Sequence, residues 1–235
     1  MGLRKEILEA QQQLEEQLRE EVRESSRDYA SLRNYEREYT EETSGFRFRR
    51  ERHFSNLEAL LRDLSTRRSA LIGDFHTFGG AKNLVIQLLE NADAIRAVRS
   101  GRREEGEGEE GRESQQRRVI LGLEYFSVDQ QPLLDAYVAG EMDVDKLLDK
   151  TMYSDPKNGW SCDREPIRKI LSTALENRVE IRAINDSSSP HRNPRKKCRS
   201  VAKIMAHEIN SDPDVLFLTL IGDLHTAQSH LKKEL

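Results

Sequence analysis

The sequence predicts an α/β domain, in which a mostly parallel sheet carries helices on both faces, preceded by a long N-terminal helical arm. Short apolar runs alternate with helical stretches beyond residue 55, which is typical of parallel strands joined by crossover helices. Residues 3 to about 40 show uninterrupted helical periodicity instead. We therefore divide the 235-residue chain into an arm with its connector at 1–54 and a domain at 55–235.

The arm carries a thin apolar stripe among many Glu, Gln and Arg residues. Such a stripe favours pairing with one other helix, as in a coiled coil, rather than burial in a deep core. The partner helix would come from a second copy of the chain, giving a homo-oligomer, or from the chain's own domain. The net charge of −4 and one short basic-aromatic segment after Gly45 give no strong indication of a nucleic-acid partner.

The elements of the domain follow from periodicity and from cap and turn residues. Helices are predicted at 55–66, 81–98, 129–140, 143–150 and 166–177, and in a stretch that follows a basic, solvated loop at 191–199 and ends near 210. Strands are predicted at 70–73, 119–124, 179–184 and 215–221. Residues 99–117 are a low-complexity, highly charged run, which predicts a flexible, solvated insertion between a helix and the next strand.

One motif occurs twice, each time at the end of a predicted strand. Residues 71–77 read Leu-Ile-Gly-Asp-Phe-His-Thr, and residues 220–226 read Leu-Ile-Gly-Asp-Leu-His-Thr. A third apolar strand ends in a glutamate. Ligands of parallel sheets bind outside the carboxyl ends of the strands. We therefore expect one crevice site, formed by Asp74, His76, Glu124, Asp223 and His225.

Imidazole and carboxylate groups together suit a divalent transition metal, with His76, Glu124 and His225 as ligands. A bound water would then become a nucleophile, and a spare carboxylate, Asp74 or Asp223, would act as a base. A metal-free site is an alternative, with His76 as general base and Glu124 sharing the proton. The simplest alternative is structural, with both aspartates capping the helices that follow.

Several classes of protein lack support in the sequence. Cys162 and Cys198 make no disulfide framework and lack the spacing of a zinc site. No stretch approaches the roughly 20 apolar residues of a membrane span, and the N-terminal residues show neither a signal peptide nor a lipobox. These features favour a cytoplasmic protein. Walker, dinucleotide-binding and serine-hydrolase motifs are also missing.

A family resemblance rests on these strand-end motifs and on two further runs. Gly122-Leu-Glu-Tyr-Phe is followed by Gln130-Gln-Pro-Leu-Leu-Asp-Ala-Tyr-Val-Ala-Gly140, and Val179 begins Val-Glu-Ile-Arg-Ala-Ile-Asn. Together with the motif at Ile221, they make residues 60 to 231 resemble the ChaN-like haem-binding uptake proteins. These proteins belong to a wider superfamily with Tiki, TraB and erythromycin esterase.

The resemblance implies a bacterial source and an α/β fold. It also implies one of two functions, namely haem binding, or hydrolysis of an ester or amide with a divalent metal. In the hydrolytic branches the matching residues are His76, His225 and Glu124. For haem, the implied contacts are His76 and His225, with Tyr125 as a neighbouring tyrosine. The expected partner is thus haem, a metal ion or a small molecule, and relatives are often envelope lipoproteins.

Overall fold

A computed structural model describes residues 29–45, 56–75, 79–100, 117–151, 164–186, 194–226 and 230–234. The first part of the predicted arm, most of the charged insertion and His76 lie outside the described residues. The helices are α1 (Tyr29–Gly45), α2 (Leu57–Leu64), α3 (Gly80–Glu90), α4 (Ala92–Ser100), α5 (Gln131–Val138), α6 (Val144–Thr151), α7 (Arg164–Glu176), α8 (Pro194–Ser211) and α9 (Leu231–Glu234). The strands are β1 (Ser69–Asp74), β2 (Val119–Ser127), β3 (Glu180–Asn185) and β4 (Leu216–Gly222), and the short 3₁₀ turns are Val128–Gln130 and Asp223–Thr226.

The four strands form one parallel sheet in the order β1-β4-β2-β3. The last of these four strands therefore lies between the first and the second. This order makes β1 and β4, the strands that carry the repeated motif, direct neighbours, with Asp74 in register with Gly222. The prediction of a parallel sheet is confirmed.

Helices cover both faces of the sheet, as the sequence predicts, and two separate hydrophobic clusters fill the space between. The larger cluster includes buried residues of α3 to α7, and the smaller one includes buried residues of α1, α8 and α9. Strand residues alternate between the clusters. In β4, for example, Phe217 and Ile221 join the smaller cluster, while Leu218 and Leu220 join the larger one. This alternation follows from the two-residue period of a strand.

Most predicted elements agree with the structure to within a few residues, but three differ in a meaningful way. The helix predicted at 81–98 is divided at Asn91 into α3 and α4. Strand β2 continues three residues beyond Glu124. Arg195 to Arg199, which were assigned mainly to a loop, lie in the first turns of α8. No helix among the described residues is long and apolar enough to cross a membrane.

Arg117, assigned by the sequence to the solvated insertion, is a buried structural residue. Its guanidinium donates to the main-chain carbonyl groups of Leu64, Ser65, Arg67 and Asp214. It thereby ties the start of β2 to the turns that precede β1 and β4. The described end of the charged run is thus fixed, because a buried guanidinium needs acceptors for its donors.

Candidate functional site

The carboxyl ends of β2 and β4 bring Glu124 and His225 together. The regular pairing of β2 with β4 ends at Leu123 and Leu220, and the register with β3 shifts between Leu123 and Ser127. Glu124 is the first residue beyond the regular ladder. Such irregularities are common next to active sites, because they re-aim a side chain. The Glu124 carboxylate lies with Oε1 3.8 Å from Nε2 of His225, and it accepts a hydrogen bond from the main-chain N–H of Gly222.

Glu124 is almost completely buried, and a buried carboxylate needs compensation for its lost hydration. Lys197 of α8 supplies it through an ion pair with Oε1. Burial alone would raise the pKa of Glu124. The charges of Lys197 and His225 and the hydrogen bond from Gly222 outweigh burial, so the pKa of the carboxyl is lowered. The site thus holds a fixed negative charge that is already paired with a cation.

The other side of the His225 ring is held by a tyrosine and a cysteine. Nδ1 of His225 lies 2.6 Å from the Tyr35 hydroxyl and 3.2 Å from Sγ of Cys198, and these two groups lie 3.1 Å from each other. The His230 ring stacks on Tyr35 with a centroid distance of 3.6 Å and an interplanar angle of 6°. We call Tyr35, Cys198, His225 and His230 the His225 cluster. Helix α1 brings Tyr35 to it, and α8 brings Cys198.

Two members of the His225 cluster, Tyr35 and Cys198, are uncharged. Burial raises the pKa of the Cys198 thiol to about 11, with a further contribution from the Glu124 charge. Burial likewise raises the pKa of Tyr35, as does the neighbouring Cys198. Both groups therefore keep their protons at neutral pH, and they act here as hydrogen-bonding partners rather than as anions.

Asp74 and Tyr125 form a different group on the larger-cluster side of the sheet. Lys82 of α3 lies 3.0 Å from one carboxylate oxygen of Asp74 and 3.2 Å from the other. The Tyr125 hydroxyl donates to the same carboxylate, and all three side chains are buried. Asp74 is therefore an ion-pair partner of the helix that follows. That helix begins after Gly79 without a side-chain cap.

Asp223, the second motif aspartate, lies where β4 turns into a short 3₁₀ helix. Its carboxylate accepts from the Tyr39 hydroxyl of α1 and more weakly from Thr226. Burial raises the pKa of this carboxyl, and the hydrogen bond from Thr226 opposes the change. A Cβ atom at Gly73 would overlap the Asp223 carboxylate. Glycine is required at 73 because the neighbouring strand end approaches so closely.

The structure thus brings together some of the predicted site residues. Glu124 and His225 meet, and Asp74 meets Tyr125, but these are two separate groups. His76 lies outside the described residues, so the predicted His76, Glu124 and His225 metal site stays a prediction. Within the described ranges, no group of three or more His, Cys, Asp or Glu side chains is arranged to hold a metal ion.

Sequence reasoning missed three members of the site. Tyr35 looked like part of a packing stripe, Cys198 like an ordinary thiol, and Lys197 like a loop cation. The spacing of Tyr35 and Tyr39, one helical turn apart, places both on one helix face and was the available signal. No comparable signal existed for Cys198, because its neighbour His225 is 27 residues away and on another element.

Comparisons with solved structures agree with this fold. The type III effector HopBA1 is 10% identical with a TM-score of 0.51, and 72% of each chain is covered. ChaN of Campylobacter jejuni, described as binding haem cofacially, is 13% identical with a TM-score of 0.50. That alignment covers 77% of this chain and 80% of ChaN. No curated protein matches the sequence.

The sequence itself carries a more specific match. The model of the haem-binding uptake family of the Tiki superfamily, typified by ChaN, matches residues 60–203, which is more than half of the chain. This range includes Glu124, Lys197 and Cys198, while Tyr35 lies upstream of it and His225 downstream. The chain therefore belongs to the ChaN-type haem-binding uptake family of the Tiki superfamily.

Proposed function

We propose that this protein binds haem at the carboxyl ends of β2 and β4, next to the His225 cluster. The observation that carries the proposal is the collection of iron-ligating side-chain types at this edge, in a chain of a haem-binding family. Imidazole, phenolate and thiolate are the protein ligands used for haem iron. The cluster offers two imidazoles, in His225 and His230, and the neutral Tyr35 hydroxyl and Cys198 thiol lie within hydrogen-bonding distance of His225.

The surroundings of the cluster also suit haem. Haem is a planar, largely apolar ring with two carboxylates, so its site needs an apolar contact and cations. Phe75, which directly follows β1, is 63% exposed and offers an apolar ring at the same edge. Exposed basic side chains in the first turns of α8, namely Arg195, Lys196 and Arg199, lie beside Lys197 and offer charge for the carboxylates.

Family membership favours haem binding over the hydrolytic alternative, in which the same histidines and Glu124 would serve a metal. The side-chain types at this edge, namely imidazoles, an exposed aromatic ring and basic groups, suit haem. When bound, haem would supply its iron, and the chain's own contribution would be ligation, orientation and exclusion of water. His225 is the residue that we expect to matter most, because it lies at the meeting point of Glu124 and the cluster.

A haemin titration followed by absorbance tests the proposal. The parent chain should give a saturable Soret change at micromolar haemin, and His225→Ala should weaken binding by about tenfold or more, which is about 1.4 kcal/mol. His207→Ala is the matched control, because His207 is exposed on α8 away from the cluster. Absence of a Soret change in the parent, or equal binding by both variants, would refute haem binding at this site.

A further inference from the structure

Helix α1 lies directly over the His225 cluster. Tyr35 is only 2% exposed and contacts the other three members of the cluster. One turn later, Tyr39 donates to Asp223. Between them, Glu38 forms an ion pair with Arg195 of α8 and lies 3.3 Å from Nε2 of His230. One face of a single helix thus contacts β4's end, α8 and the residue before α9.

Both nitrogens of the His225 ring face polar side chains in this arrangement. Nδ1 lies within hydrogen-bonding distance of Tyr35 and Cys198, and Nε2 faces the Glu124 carboxylate. A ligand that takes Nδ1 must replace the Tyr35 hydroxyl. The tyrosine ring is also stacked on His230, so the replacement requires the helix that carries it to move.

The contacts that attach α1 to the domain suit a helix that can detach and rebind. Tyr35 is the one buried side chain among those described between residues 33 and 41. The other contacts are polar and only partly buried, as with Glu38 and Tyr39. On the opposite face, Arg37 and Glu41 form an ion pair with each other, and both side chains are exposed. A helix segment whose contacts are mostly polar and partly buried opens more readily than a helix of the core.

We propose that α1 is an intramolecular cover of the His225 cluster, and that Tyr35 and the ligand compete for His225. In the closed state the helix protects the Cys198 thiol and seals the strand ends. In the open state the thiol becomes accessible and His225 becomes available. The ligand half of this inference rests on the proposed haem function, whereas the cover itself does not.

Thiol labelling in the full-length chain tests the cover without haem. In a Cys162→Ser background, Cys198 is the one remaining thiol, and its alkylation rate by iodoacetamide reports its access to solvent. Tyr35→Ala should raise this rate by about tenfold or more, because the side chain that closes the cluster is gone. Arg37→Ala is the matched control on the exposed face of the same helix, and its rate should stay within about twofold of the parent.

Global unfolding is separated from opening by measuring the unfolding free energy of each variant in urea. The cover is supported if labelling of Tyr35→Ala increases by more than its loss of global stability accounts for. Equal labelling of both variants, or an increase that matches the stability loss, would overturn it.

Haemin association provides the second readout, and it should be faster in Tyr35→Ala than in Arg37→Ala. Equal association rates, together with faster labelling of Tyr35→Ala, would overturn the competition between Tyr35 and the ligand for His225. Failure of every variant to bind haemin would refute the haem function. The labelling rates would still decide whether α1 covers the cluster.

Discussion

The two aspartates of the repeated motif have different roles at the residue scale. Asp74 is buried against Lys82 and Tyr125, whereas Asp223 lies at a strand end and contacts helix α1. Removing one partner of a buried ion pair costs more than the pair itself contributes, since the remaining charge keeps its desolvation penalty. Asp74 and Lys82 therefore stabilise the fold only as a pair.

Lys82→Met tests this dependence. The variant keeps much of the side-chain volume but leaves the Asp74 carboxylate buried without this counter-charge, so we expect a loss of about 3 kcal/mol in the free energy of unfolding. Urea titration at pH 7 measures it. Lys203→Met, at an exposed lysine of α8, is the control and should change stability by less than about 0.5 kcal/mol. Equal effects of the two substitutions would contradict the role of the pair.

The meeting of Glu124 and His225 was predictable, but the rest of their surroundings was not. Both residues follow apolar runs, and the carboxyl ends of parallel strands lie at one edge of a sheet. Tyr125 was grouped with them because it is adjacent in sequence, yet neighbours along a strand point to opposite faces. Tyr35 belongs to the site across 190 residues of chain, and no local pattern specifies such a contact.

Helix α8 runs along the sheet and contacts it near both ends of the strands. Near its start, Lys197 pairs with Glu124, and near its end Glu208 contacts two arginines. Oε1 of Glu208 lies 2.8 Å from Nε of Arg182, and Oε2 lies 3.3 Å from the Arg118 guanidinium. Both ends of the helix are thereby held by residues of β2 and β3 and by Arg118, which directly precedes β2.

Glu208 should make stability depend on pH. Burial raises the pKa of Glu208, but the bonds and charges of Arg182 and Arg118 outweigh burial and lower it from its usual 4.5. Its stabilisation is therefore complete above about pH 5 and decreases as the pH falls through the lowered pKa. Glu208→Gln should cost about 1 kcal/mol at pH 7 and much less near pH 3.

Urea titrations of the parent and Glu208→Gln across this pH range measure the effect. Glu141→Gln, at an exposed glutamate, is the control and should show no such dependence. A stability difference between parent and Glu208→Gln that stays constant from neutral to acidic pH would contradict the assignment.

The division of the predicted 81–98 helix shows what periodicity leaves out. Apolar residues keep helical spacing through the break, so the pattern alone reads as one helix. Asn91 ends α3, and its side-chain amide donates to the carbonyl of Gln87 at 2.8 Å. Asparagine competes with the helical main chain in this way, which is why a single residue can divide a helix.

At the scale of the whole molecule, the sheet and helix α1 should differ in local stability. The strands are buried between two clusters, whereas the side chains of α1 that the structure describes, at 33–41, include one buried residue, Tyr35, and are otherwise polar and at least partly exposed. We therefore expect amides of 29–45 to exchange with solvent about a hundredfold faster or more than those of β4. Hydrogen exchange followed by mass spectrometry measures both segments in one experiment. Equal protection of α1 and β4 would show that α1 opens only when the whole domain unfolds.

The fold class was predictable from the sequence, but the strand order was not. Apolar runs alternating with helices specify a parallel sheet, but run length and composition do not identify neighbouring strands. The repeated motif was the available hint that β1 and β4 are adjacent. The pairing of helix α1 with its own domain was one of two predicted partners, and oligomerisation of the arm stays a prediction.

The central position of β4 has a consequence for synthesis of the protein. β4 is translated after the other three strands, yet in the described sheet it is the strand that joins β1 to β2. A growing chain that ends before residue 216 holds β1 with its backbone donors and acceptors open, which invites pairing with other chains. Assembly of the sheet therefore waits until β4 has been translated, and nascent chains of this protein should depend on chaperones more than those whose sheets are assembled in chain order.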